Sequence, residues 1–105
     1  MVAYENVSKQ SADILLKTDV KNLSDSSFKG KVVYELFDKE NRLVATSISV
    51  INLSKGKSRQ TNEIRMKIMK PHLWYPSTPY LYNLIVKIVN NQGTIQDGYR
   101  QRLGI

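Results

Sequence analysis

Along much of this chain apolar residues recur at every second position, and charged or polar residues fill the places between them. Ile14, Leu16, Thr18 and Val20 sit two apart, separated by Leu15, Lys17 and Asp19. That period predicts a strand with one buried face. It returns at Ile64, Met66 and Ile68, set against Glu63, Arg65 and Lys67, and again along Tyr80, Tyr82, Leu84, Val86 and Ile88. Between these runs lie Val32–Phe37, introduced by Gly30, and Leu43–Leu53, whose Val44, Thr46, Ile48, Val50 and Ile51 favour extended backbone. Val2–Val7 reads as a first strand. Thr94–Leu103 reads as a last one, polar enough to predict an edge position.

Turn chemistry separates the runs. Asn22-Leu23-Ser24-Asp25-Ser26-Ser27, Asp38-Lys39-Glu40-Asn41-Arg42, Lys55-Gly56-Lys57 and Asn90-Asn91-Gln92-Gly93 are polar clusters, and Gly93 is free to take a positive φ. No window keeps the apolar i, i+3, i+4, i+7 spacing of an amphipathic helix. About seven short strands with regular turns predict an all-β fold. The form expected is one immunoglobulin/fibronectin-III-like Greek-key β-sandwich of antiparallel strands over residues 1–105.

Composition narrows the chemistry. The chain has 105 residues and no cysteine, which removes disulfides, thiolate metal sites and thiol nucleophiles together. Apolar runs are short and broken by charges, far below the roughly 20 residues of a membrane span. A soluble domain is expected. Met1-Val2-Ala3-Tyr4-Glu5 lacks the basic flank and apolar stretch of a signal peptide. Two readings stay open: a protein that is not exported, or a chain beginning after its targeting signal.

Sixteen Lys and Arg against nine Asp and Glu give a formal charge of +7. Lys55, Lys57, Arg59, Arg65, Lys67 and Lys70 lie close in sequence, and Arg100 and Arg102 are candidates to join them. Nucleic-acid binding would want stacking aromatics interleaved with such a patch. The nearest aromatics, Trp74 and Tyr75, sit instead in a proline-rich segment, so the cations read as solvent faces of strands.

The single histidine, His72, lies between Pro71 and Leu73 with no sequence sign of a nucleophile or an orienting carboxylate. The carboxylates Glu5, Asp13, Asp19, Asp25, Glu35, Asp38, Glu40, Glu63 and Asp97 fall in turns or on charged strand faces. A glycosidase pair would need two of them facing each other across a cleft about 5–10 Å wide, and a filled sandwich interior offers none. Neither a glycine-rich phosphate loop nor a G-x-S-x-G elbow occurs. The N-x-[ST] triplets at Asn6, Asn22 and Asn52 read as chance.

One segment is different. All three prolines fall within Pro71-His72-Leu73-Trp74-Tyr75-Pro76-Ser77-Thr78-Pro79-Tyr80-Leu81-Tyr82, which also holds the sole tryptophan. Proline fixes φ and excludes both helix and central strand. The aromatic group so held reads either as a packing anchor or as a sugar-stacking platform. Tyr80 or Tyr82 stands where sandwich folds place a tyrosine whose hydroxyl bonds back to the preceding corner.

The pattern Leu73-Trp74-x-Pro76-x-x-Pro79-x-Leu81-Tyr82-x-Leu84-x-Val86 resembles a signature of glycoside hydrolase family 2, near the end of its immunoglobulin-like sandwich domain. That family includes β-galactosidases, β-glucuronidases and β-mannosidases. The likeness extends through Gly93, Asp97 and Leu103-Gly104-Ile105, and back to Val20-x-Asn22-Leu23-Ser24 and Val32-x-Tyr34-x-Leu36-x-Asp38.

The resemblance implies a non-catalytic scaffold domain, a fragment of a larger retaining β-glycosidase, with β-galactosidase as the first expectation. Its partners would be a preceding jelly-roll domain and a following (β/α)₈ barrel that holds the catalytic glutamates. No catalytic residue, metal or cofactor is implied in this chain. Leu73, Trp74, Pro76, Pro79, Leu81 and Tyr82 would steady the sandwich near those neighbours. The alternative is an independent glycan- or protein-binding module that uses Trp74.

Overall fold

The computed structural model describes residues 2–22, 25–56 and 58–105, with Ser58 described by its backbone alone. Among these residues seven strands form: β1 (Val2–Glu5), β2 (Ser11–Asn22), β3 (Phe28–Phe37), β4 (Leu43–Leu53), β5 (Ser58–Met69), β6 (Tyr82–Asn90) and β7 (Ile95–Leu103). They pair antiparallel in a three-stranded sheet of order β1-β2-β5 and a four-stranded sheet of order β4-β3-β6-β7. The chain changes sheet between β2 and β3, between β4 and β5, and between β5 and β6. The result is a β-sandwich about 51 Å long.

The alternating residues become its interior. Ile14, Leu16 and Val20 of β2 meet Met66 and Ile68 of β5 from one side, and Val32, Tyr34, Leu36, Leu84 and Val86 from the other. Tyr34 is fully buried, and its hydroxyl donates to Thr18 Oγ1 at 2.9 Å, so the one polar atom of that ring is satisfied across the sheets. Gln60 of β5 fastens the sheets a second time. Its amide accepts from the Asn52 N–H and donates to the Val50 carbonyl, both at 3.0 Å, on the free edge of β4.

Several boundaries differ from the sequence reading. β1 stops at Glu5 because Asn6 turns to φ 51°, and β5 starts well before Ile64. Gly30 lies inside β3 rather than ahead of it; a Cβ there would run into the Val89 carbonyl, beside the β6–β7 irregularity at Ile88/Val89. Tyr80 stays in the loop, and β6 begins at Tyr82. β7 does lie at an edge, and Gly93 has φ 81°. Leu23, Ser24 and Lys57, read as turn residues, lie outside the described residues. Asn22 closes β2 instead of opening the turn, and its side-chain amide donates to the Ser26 and Ser54 carbonyls.

Candidate functional site

The loops between β1 and β2, β3 and β4, and β5 and β6 gather at one end of the sandwich, and β7 also runs out there. The proline segment is the largest of them. Lys70, at φ 49°, ends β5, and its N–H donates to the Gln10 carbonyl. Pro71 is buried next to it. The His72 N–H then donates to the Tyr82 hydroxyl at 2.8 Å. Tyr82 thus takes the corner position, with its ring in the core and its oxygen on the backbone ten residues upstream.

Tyr80 does a parallel job toward a different loop. Its hydroxyl accepts from the Lys39 N–H at 3.1 Å and donates to Glu40 Oε2 at 3.2 Å. Its ring stacks on His72 with centroids 4.5 Å apart and meets Tyr82 edge-on at 5.2 Å. His72 therefore has a packing role in the stack. The loop that Tyr80 reaches is organised by Asp38, whose carboxylate accepts from the Glu40 and Arg42 backbone N–H groups and from Arg42 Nε. The Arg42 backbone N–H leads in holding this carboxyl below its ordinary value, aided by the Arg42 charge.

Trp74 is tied to the end of β7. Its N–H donates to the Ile105 carbonyl at 2.7 Å. Its side chain lies over Gly104, where a Cβ would come within 3.1 Å of the indole. Glycine is needed here for close approach, since Gly104 has no positive φ. Even so, 43% of Trp74 stays exposed. One side of the indole rests on Gly104, and the remainder faces out.

Of the other residues singled out in the sequence, Leu73 is half-buried, while Pro76, Pro79 and Leu81 are exposed. Beside them a cleft of about 530 Å³ opens between the three loops, lined by Lys9, Lys39, His72, Tyr75 and Tyr80 among others. Sequence reading missed Tyr80 as the link to the β3–β4 loop and Gly104 as the seat of Trp74. Both depend on contacts between segments far apart in the chain, and period and turn chemistry carry no signal for them.

The carboxylates spread over strand faces and turns. Glu5 and Asp13 share Arg65 on the outside of the three-stranded sheet, at 2.8 and 3.4 Å, and Asp38 and Glu40 share Arg42 in the β3–β4 turn. Among the described residues no three histidines or carboxylates are grouped to hold a metal ion. Among the described residues no helix is long and apolar enough to cross a membrane.

Comparison with known proteins gives one family. Glycosyl hydrolases family 2 matches over residues 2–105. A β-glucuronidase of Formosa agariphila is 29% identical over 104 residues, covering 99% of this chain and 10% of the relative. A β-galactosidase of Bacteroides ovatus is 32% identical over 104 residues, covering 99% of this chain and 12% of the relative. In structure, a β-glucuronidase from glycoside hydrolase family 2 superposes with a TM-score of 0.92 at 28% identity, over 100% of this chain and 11% of the other. The chain thus spans about a tenth of the length of the relatives it matches.

Proposed function

The chain belongs to glycosyl hydrolases family 2, and from that premise we propose that it is a non-catalytic sandwich domain of a larger β-glycosidase. The observation that carries this reading is the ratio of coverage: nearly all of this chain aligns with about a tenth of each relative. Glu5, Asp13 and Asp38 are engaged in an outer-face ion-pair group and a turn, which supports a reading in which the bond-breaking work falls to another part of the parent.

The role is mechanical. Ile105 lies under the Trp74 N–H, so polypeptide continuing past it would leave at the loop-rich end. A barrel following there would rest against Trp74, Tyr75 and Leu81, whose exposed apolar surface suits burial by a neighbour. The prolines and the two tyrosine hydroxyl bonds keep that seat rigid. Relatives of both names match the same stretch, so the parent's substrate class widens from β-galactosides to β-galactosides and β-glucuronides.

The test is direct. Incubated with nitrophenyl β-galactoside and β-glucuronide, the 105-residue chain should show no turnover, and turnover above background would sink the reading. The cleft and the half-exposed Trp74 favour a second reading, a glycan-binding module. Tryptophan fluorescence titrated with oligosaccharides separates the two: a saturable shift supports the module, and a flat response supports the scaffold.

A further inference from the structure

The outer side of the four-stranded sheet carries a surface that the loop end does not use. Residues paired directly across strands project to the same side of a sheet. Val33 pairs with Ile48, Lys31 with Val50 and Glu35 with Ile85, while their neighbours Val32, Tyr34 and Leu36 point into the core. Past the irregularities, Phe37 pairs with Leu43 and Val89 with Ile95. Four of the five rows of this outer face therefore contain an apolar side chain, the Lys29–Asn52 row being the exception. Val50 is 70% exposed, Ile95 60%, Ile48 57% and Leu43 52%.

An antiparallel sheet with one face in water ordinarily carries polar residues on that side. A large exposed apolar surface on a folded domain marks an interaction site. Cations are interspersed with this one: Lys31 on β3, Lys87 on β6, and Arg100 and Arg102 on the edge strand β7, while its acid, Glu35, is already held by Lys87 at 2.6 Å.

We propose that this face is an interdomain interface, docking a neighbouring folded domain of the same polypeptide whose contact surface is apolar with acidic residues interspersed. The proposal rests on the reading of the chain as one domain of a larger glycosidase. Charge selects the acidic residues, because cations on this face outnumber its single paired acid. Size selects a tethered partner. Four strands ~4.8 Å apart, each contributing about eight residues at ~3.3 Å, cover roughly 500 Å². Two such surfaces bury roughly 1,000 Å², inside the range of interdomain contacts and short of the roughly 1,600 Å² of a free-standing complex.

The experiment places Ile48→Lys and Val50→Lys together in two settings, the 105-residue chain and the full-length parent. In the isolated chain both side chains already meet water, so the melting temperature should stay within about 2 °C of wild type. In the parent the same pair should lower the melting temperature of this domain by at least about 4 °C. Lys21→Glu, on the outer side of the three-stranded sheet, should change neither.

A parent that melts unchanged with the pair overturns the proposal. So does an isolated chain that unfolds with it, since the two residues would then serve the fold itself. A wild-type chain that is a stable dimer, made monomeric by the pair, assigns the face to a second copy instead. Absence of glycosidase activity in the parent would sink the functional reading while leaving the melting comparison intact.

Discussion

The two outer faces of the sandwich solve different problems. Outside the three-stranded sheet, charges meet in pairs: Lys17 with Glu63 at 3.8 Å, Arg65 with Glu5 and Asp13, and the Thr61 hydroxyl with Asp19 at 2.6 Å. Outside the four-stranded sheet, aliphatic side chains project from four of the five rows and acids are scarce. The inner faces show no such contrast, because both contribute buried apolar side chains to one core. Core patterning alone determines a sandwich, while outer patterning determines which side faces water and which side faces protein.

The largest expected effects test the similarity inside. Ile14→Ala in one sheet and Leu84→Ala in the other should each cost about 2–5 kcal/mol in urea unfolding, because both side chains are fully buried. A cost below 1 kcal/mol at either site would break the symmetry of the core.

Next comes the contrast outside. Lys87→Met leaves Glu35 Oε1, a buried oxygen, without its 2.6 Å partner, and should cost about 1–3 kcal/mol with little response to salt. Arg65→Met removes a half-exposed guanidinium from the charged face, and should cost about 1 kcal/mol or less, falling further in 1 M salt. Equal costs with equal salt dependence would erase the distinction between the faces.

The smallest effect is a titration. The Thr61 hydroxyl leads in holding the Asp19 carboxyl below its ordinary value, with Arg59 and Lys17 adding to it. A depressed folded pKa stabilises the fold above the unfolded carboxylate value of about 3.9, and that contribution disappears as pH falls through the folded value. Thr61→Val should raise the Asp19 pKa toward the ordinary range in an NMR titration and flatten the acid side of the stability profile. An unmoved pKa would show that the charges, rather than the hydrogen bond, set it.

Period-two patterning made the strands and core of β2, β5 and β6 legible, because each carries an unbroken apolar row on its inward side, while β3 was legible from its β-forming residues. β4 shows where it stops. Its apolar residues occupy both parities, Ile48 and Val50 on one side and Ile51 and Leu53 on the other, so alternation could not say which side turns inward. Pairing with β3 decides it: Ser47 and Ser49 fall inward, opposite Tyr34 and Val32, and the larger Ile48 and Val50 fall outward. The loop-end motif was readable as a resemblance. Its mechanics were not, because Gly104 under Trp74 and Tyr80 on the Lys39 N–H exist only once distant segments meet.

Amine labelling followed by mass spectrometry tests the division between wet and docked faces most directly. Lys31 stands on the aliphatic face beside Val50, and Lys21 on the charged face beside Arg59. In the 105-residue chain the two lysines should react at similar rates. In the full-length parent Lys31 should be protected at least severalfold while Lys21 keeps its rate. Equal reactivity of both lysines in the parent would contradict a docked four-stranded sheet.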